Sequence, residues 1–282
     1  MAESRSIPQR LPIALTIAGS DPSGGAGIQA DLKTFTVLGV YGASVITALT
    51  AQSTQGVSGI HPVPADFVAR QIDAVVGDLT VGATKIGMLH DADTVRVVAE
   101  AVRRHNLHPL VVDPVMVATS GDSLMSDDMV AALKAELLPL SDLLTPNLPE
   151  AARLVERNVA ASTYEMVLQA RELMALGCKA VVVKGGHAYG REAMDILVDA
   201  GGSSGVTHLA LPRVDTPNTH GTGCTFSAAV TAHLARGEPM VAAVWAAKRF
   251  VHAALEAGAG LAIGQGSGPV DHLHAVRPHT RR

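Results

Sequence analysis

A chain of 282 residues, 48% hydrophobic but only 3% aromatic, carries enough Ala, Val, Leu and Ile for one large α/β domain or two small ones. A net charge of −4 gives no basic footprint for nucleic acid, and no apolar run reaches the ~18 residues of a membrane span. The stretch Met1 to Arg10 lacks the apolar core of a secretion signal, and two cysteines, Cys178 and Cys224, cannot build a disulfide framework, so a soluble cytoplasmic protein is expected.

Residues 1–12 read as a disordered lead. Ile13 to Ala18 is a short apolar run, expected as a buried strand, and it breaks at the glycine-rich stretch Gly19 to Gly27. The spacing of Ile28, Leu32, Phe35 and Leu38 predicts a helix over 28–38. A second strand is expected from Val45 to Ala51, ending in Gln52, and a helix starting at Pro64. Thr84 to Ile86 is a strand running into Gly87-Met88, followed by a helix over 91–105. Leu110 to Val112 is a strand ending at Asp113-Pro114, followed by a helix over 127–138. Asp142 to Leu144 ends in Thr145-Pro146-Asn147, with helices over 148–156 and 163–176. Ala180 to Val183 ends in Lys184-Gly185-Gly186-His187. Strand and helix in alternation imply parallel strands joined by helical crossovers. Met194–Val198 and Thr207–Leu211, around the run Gly201 to Gly205, are expected as an edge hairpin. Helices over 223–236 and 240–257 close the fold, and the Gly- and His-rich tail from Gly264 reads as loosely ordered, with His272 and His274 solvated.

Asp31, Gln52, Met88, Asp113, Asn147 and Lys184 fall just past strands or near the start of the next helix. That edge of a parallel sheet is where ligands bind. One continuous cleft along it is expected.

The most telling stretch is Asn218-Thr219-His220-Gly221-Thr222-Gly223-Cys224-Thr225-Phe226. Its glycines sit where a helix starts, so unpaired N–H groups and the helix dipole make an anion site. Cys224 lies in the first turn, where a thiol pKa is expected to fall. The plainer alternative is a glycine-rich loop with a buried structural Cys. Gly25-Ala26-Gly27-Ile28-Gln29-Ala30 matches G-x-G-x-x-A, but the strand that should supply an acid ends in Gln52, which argues against a dinucleotide fold. Lys184 reads either as a phosphate-binding point charge or as a solvated strand-end lysine. Glu150 reads as a dipole charge at a helix start or, with Asp113, as a partner of Mg²⁺ and its waters. Cys178, Met88 and Met116 read as core. Ser20, Ser23, His187 and His220 could be assembled into a triad, but no G-x-S-x-G elbow is present.

The run Ala18 to Asp31 resembles the opening motif of the hydroxymethylpyrimidine/phosphomethylpyrimidine kinases, thiamine-biosynthetic members of the ribokinase-like superfamily. Val45–Gln52, Thr84–Met88, Asp113–Met116, Thr145–Glu150, Lys184–His187 and Asn218–Thr225 match in the same order. The resemblance implies a ribokinase-like three-layer α/β fold over 13–275, a mostly parallel sheet flanked by helices, with 276–282 as a tail. It implies ATP and Mg²⁺ and two successive phosphorylations of a small pyrimidine alcohol. Gly19, Asp31, Thr50, Gln52, Met88 and Val115 would line the pyrimidine pocket. Asn147, Lys184 and Thr222 would face the nucleotide, with Asp113 and Glu150 at the metal. Gly221, Gly223 and Cys224 would form the anion hole, with Cys224 as the base and Lys184 at the phosphates. A homodimer is the expected assembly, with neither nucleic acid nor membrane as a partner. Pyridoxal kinase is the alternative within the same chemistry, and a non-catalytic sensor of thiamine precursors the alternative outside it.

Overall fold

The computed structural model describes residues 11–116, 125–186, 190–200 and 205–277. The expected lead over 1–10, His187, the hairpin tip at 201–204 and the last five residues of the tail lie outside the described residues. Strands β1 (Ile13–Ala18), β2 (Tyr41–Ile46), β5 (Ala83–Ile86), β6 (Leu110–Val112), β7 (Leu143–Leu144), β8 (Ala180–Val183), β9 (Glu192–Asp199) and β10 (Val206–Pro212) form one sheet in the order β10-β9-β8-β7-β6-β5-β1-β2. The six strands from β2 to β8 in that order are parallel, and the β9–β10 hairpin is antiparallel at the edge.

Period-two alternation makes three layers. Leu15, Ile17, Ile86, Val112, Val181 and Val183 face one way. They pack under α2 (Ala65–Val76), α3 (Ala92–His105), α4 (Asp127–Ala132), α5 (Leu148–Val155) and α6 (Thr163–Ala175). Ala83, Val111, Val182 and Leu197 face the other way, under α7 (Thr222–Ala235) and α8 (Met240–Gly258). Beside them α1 (Gly27–Val37) packs Phe35, fully buried, against Ala14, Ala228 and Ala232. Small side chains on α7 let it lie close to both α1 and the sheet. The helix expected over 127–138 is α-helical only to Ala132; it widens into a π-turn over Leu133–Leu137 and tightens at Leu138–Leu140, where Pro139 cannot continue an α-helix.

Two expectations are corrected. The second strand is not continuous to Ala51. It stops at Ile46, and β3 (Ala48–Ser53) leaves the sheet to pair antiparallel with β4 (Gly56–Pro62) as a separate two-stranded sheet. The polar turn at Thr54-Gln55 and the positive φ of Gly56 reverse the chain there. Gln52 therefore sits on a hairpin flap and not at a sheet edge. The tail is also not loose over its first part. Val270, Asp271 and His272 are buried, His272 Nε2 lies 2.9 Å from the Thr225 hydroxyl, and His220 bridges to Pro269. Burial by α7 and α8 recruits this segment, which composition alone reads as solvated.

Among the described residues no helix is long and apolar enough to cross a membrane. Because residues 265–272 brace His220 and the first turn of α7, ending the chain at Gly264 should lower the thermal midpoint by about 5 °C or more. A scanning calorimetry midpoint equal to that of the full chain would show that the segment adds nothing.

Candidate active site

Two loops meet backbone to backbone above the sheet. Gly221, at φ 77°, leads into α7, and a Cβ there would run into the Gly25 carbonyl. Gly27, at φ 55°, opens α1, and a Cβ there would stand 2.6 Å from the Gly19 carbonyl. Only glycine permits this approach, and its result is that two helix N-termini converge on one side chain. Cys224 lies in the first turn of α7, and the Gly27 N–H at the start of α1 donates to its sulfur. Asp21 fastens the two loops: it accepts from the Ser23 hydroxyl (2.7 Å), the backbone N–H groups of Ser23, Gly25 and Ala26, and pairs with His220 Nε2 at 2.8 Å. Burial opposes its ionisation, but these bonds outweigh that and hold its carboxyl well below the usual range. Ser23 and His220 thus meet at an acid that sits between them, an arrangement that braces a loop and lacks the serine–histidine–acid order of a triad.

A cavity of about 700 Å³ opens along the carboxyl edge. Gly19, Thr50, Gln52, Met88 and Val115 line one end of it. The Thr50 hydroxyl is shared between the Ser20 carbonyl at 2.9 Å and Gln52 Oε1 at 3.3 Å, which positions the Gln52 amide. Met88 closes over Gly19, where a Cβ would meet its methyl group at 2.5 Å. Asp31, expected in this pocket, is not there. It is fully buried and accepts from Thr16 Oγ1 and Lys85 Nζ, both at 2.6 Å. The reason is strand periodicity. Thr16 and Lys85 are register partners on β1 and β5, and both point to the α1 face, directly beneath Asp31. Lys85, itself fully buried, lines the cavity in its place.

The middle of the cavity is lined by Asp113, Asn147, Glu150, Lys184, Gly221, Thr222, Gly223 and Cys224. Lys184 Nζ donates to Asp113 Oδ1 at 2.8 Å, so it is no solvated strand-end lysine. Asp113 also accepts from Ser227 on α7 and from Thr145. Burial disfavours the Asp113 carboxylate, but Lys184 and Lys85 hold its pKa below the ordinary value. Asn147 and Glu150 form a capping box at the start of α5, which explains the Asn-x-x-Glu spacing. Glu150 is 5% exposed, and burial, opposed by Lys184 but reinforced by the charge of Asp113, pushes its carboxyl up to about 7. Val214, Val251 and Leu255 also line the cavity, together with a buried Lys248–Asp195 pair at 2.6 Å.

The expected fall in the Cys224 pKa is reversed. Burial pushes the thiol up to about 11, with Asp31 and Asp113 adding to the rise and Lys85 and the Gly27 N–H opposing it. The sequence shows only the place in a first turn, and desolvation, which it does not show, is the larger influence. Sequence reasoning also passed over Lys85, Asp21, Ser227, Asp195 and Lys248. The signal for Lys85 was a charge inside the strand run Ala83-Thr84-Lys85-Ile86, which demands a buried counter-ion.

A mostly parallel sheet between two layers of helices, with a cavity and converging helix starts at its carboxyl edge, is the architecture of the ribokinase-like kinases. The phosphomethylpyrimidine kinase family profile matches residues 21–271. A hydroxymethylpyrimidine/phosphomethylpyrimidine kinase of Rhizobium meliloti is 55% identical over 264 residues, 93% of this chain and 97% of that one. Phosphomethylpyrimidine kinase of Clostridium difficile superposes with a TM-score of 0.75 at 39% identity, over 86% of this chain and 98% of that one. Pyridoxal kinase of Staphylococcus aureus, in complex with AMP-PCP and pyridoxal, superposes with a TM-score of 0.86 at 33% identity, over 96% of each chain. The chain belongs to the phosphomethylpyrimidine kinase family.

Glu150 carries a measurable cost. Its folded pKa of about 7 lies above the ordinary 4.5, so the folded state holds this proton more tightly than the unfolded chain does. The resulting stabilisation is present below about pH 4.5 and is lost as pH rises through 7. Glu150→Gln keeps the cap acceptor and should be more stable than the parent at pH 8 by on the order of 1–3 kcal/mol, with no gain at pH 4. Urea unfolding at the two pH values reads this; equal midpoints at pH 8 would mean the carboxylate is ionised there without penalty.

Proposed function

We propose that the chain transfers the γ-phosphoryl group of ATP to the hydroxymethyl group of 4-amino-5-hydroxymethyl-2-methylpyrimidine, and then a second one to the monophosphate, as a step of thiamine biosynthesis. The observation that carries this reading is the convergence of two helix N-termini and a cavity-facing thiol in one cavity that Lys184 also lines. Phosphoryl transfer needs positioning and charge neutralisation more than covalent chemistry. In this reading Gly19, Thr50, Gln52, Met88 and Val115 hold the flat ring. Gln52 offers a donor and acceptors to an aminopyrimidine, and Met88 packs on its face. The N–H groups at Gly221, Thr222 and Gly223 receive the migrating phosphoryl oxygens, and Lys184 adds a point charge. Asn147 lies on the nucleotide side, and the apolar wall at Val214, Val251 and Leu255 suits a nucleobase.

Asp113 and Glu150 fit Mg²⁺, which takes one or two carboxylates and keeps its waters. The raised pKa of Glu150 is what a carboxyl prepared for a cation would have, since a nearby cation favours its ionised form. Bound there, the ion would neutralise charge on the phosphate oxygens. Cys224 accepts the hydroxyl proton as the new O–P bond forms. A homodimer remains part of the proposal. A second reading, pyridoxal as an acceptor, is favoured by the likeness to the staphylococcal pyridoxal kinase; turnover of the two alcohols side by side separates them.

The test follows the monophosphate and the diphosphate separately by mass spectrometry. Cys224→Ala should slow the first transfer by about 10²–10⁴ and the second far less, because a phosphate acceptor is already ionised. With a thiol near 11, the first step should also climb as pH rises from 6 to 9, since each unit gives about tenfold more thiolate. Cys224→Asp should restore part of the rate and flatten that slope. Equal losses in both steps would reduce Cys224 to a positioning role. Absence of any ATP-dependent product from the pyrimidine alcohol would sink the whole reading.

Lys184→Ala should lower turnover several-fold to hundreds-fold while pyrimidine binding, read by calorimetry, stays within about a factor of two. Wild-type turnover in that variant would remove Lys184 from the phosphate site.

A further inference from the structure

Lys85 is used by no step above, and its setting is unusual. It is fully buried, on a strand otherwise made of small and apolar residues, and it still borders the cavity. An ammonium carries three donors; among the described residues, the hydrogen bond to Asp31 Oδ1 at 2.6 Å is the one it makes. Breaking such a buried pair is strongly destabilising, while replacing both charges with apolar side chains is often neutral or better. The pair therefore needs a reason other than stability.

The topology supplies one. Lys85 points from β5 to the face covered by α1 and α7, the two helices whose first turns meet at Cys224. Asp31 comes from α1, one turn past the Gly27 N–H that donates to the Cys224 sulfur. We propose that Lys85 is a positioning residue for Cys224: held on the cavity floor by Asp31, its ammonium supplies the positive charge against which the thiol sheds its proton. Asp31 is then the counter-ion that keeps Lys85 charged and in place, not a ligand of the substrate.

The charged groups around the thiol set the expected signs. Lys85 on β5 stabilises the thiolate, as does the Gly27 N–H of α1. Asp31 on α1 and Asp113 after β6 oppose it. Lys184 after β8 also senses the thiolate but is already paired with Asp113, and His220, on the loop before α7, is paired with Asp21. Burial by itself would discharge Lys85, but Asp31, with Cys224 and Asp113 behind it, more than offsets this and holds it protonated above its ordinary range. Lys85 and Asp31 thus pull Cys224 in opposite directions, which fixes the sign expected when either charge is removed.

This inference builds on Cys224 as the proton acceptor, but it is tested without turnover. The probe is iodoacetamide, and the readout is the rate of Cys224 alkylation against pH, resolved from Cys178 by peptide mass spectrometry; Cys178 is 3% exposed and serves as an unreactive control. Asp31→Asn keeps an acceptor for Lys85 and should speed alkylation at pH 7.5 by about three- to tenfold. Asp31→Asn with Lys85→Met removes both charges at similar volume; it should slow alkylation below the parent by a like factor and move its pH midpoint upward. Each fold-change is the corresponding fraction of a pKa unit, tenfold per unit. Rates that stay at the parent value, or that move the same way in both variants, would overturn the proposal. If Asp31→Asn does not fold, the double variant decides alone, and an unshifted pH midpoint in it is the overturning result; if the double variant does not fold, parent-like alkylation in Asp31→Asn is. A failure here leaves Cys224→Ala and its two-step split untouched, so the two readings fall separately.

Discussion

One constraint organises the proposed chemistry: a thiol that burial keeps protonated has to lose its proton, and what favours that loss is the Lys85 ammonium together with the backbone N–H at the start of α1. Desolvation is the largest influence on Cys224 and it works against ionisation. Against it stand the first turns of α1 and α7, brought together because Gly27 and Gly221 carry no Cβ. Helix N-termini are fixed dipoles that need no reorganisation when charge develops. In the proposed mechanism the start of α7 would receive the migrating phosphoryl group, while the Gly27 N–H at the start of α1 tempers the thiol.

Around that point, charges of both signs alternate. Lys85 faces Asp31, Lys184 faces Asp113 and Lys248 faces Asp195, and the His220 ring is hydrogen-bonded to Asp21. Each pair is mostly or fully buried, and each links elements distant in sequence. Such pairs are poor sources of stability because desolvation consumes most of the attraction. Their value is geometric: they fix loops and strand ends against one another around a cavity that must stay open. Among the described residues, the Glu150 carboxyl, buried and near Asp113, makes no such ion pair, and burial pushes it up to about 7.

The β3–β4 flap has a separate logic. It leaves the main sheet after Thr47, whose hydroxyl donates to the Met88 carbonyl at 2.7 Å, and carries Thr50 and Gln52 over the cavity. Its turn is tied to the far end of the chain, where Thr54 Oγ1 accepts from the N–H groups of Gln265 and Gly266. The C-terminal segment thus braces both the flap and, through Pro269 and His272, the start of α7. Segments far apart in the chain close the same pocket from opposite sides.

Legible in the residue order is the pattern that local chemistry writes: alternating strands and helices, polar residues at strand ends, an acid at the start of the helix after Asn147, and a glycine-preceded cysteine opening a helix. Those follow from periodicity and from where glycine, proline and capping residues can sit. Tertiary structure alone decided the signs and the depths. Asp31 looked like a residue at the cleft because it lies in the first helix after a strand; only the β1–β5 register, Thr16 beside Lys85, shows that it turns down into a charge pair. Gln52 looked like a strand end, and only the pairing of β3 with β4 makes it a flap residue. The Cys224 thiol looked acidic from its place in a helix, yet burial, with Asp31 and Asp113 nearby, raises it. Desolvation depends on everything that surrounds a group in space, and the order of residues along a chain does not record that.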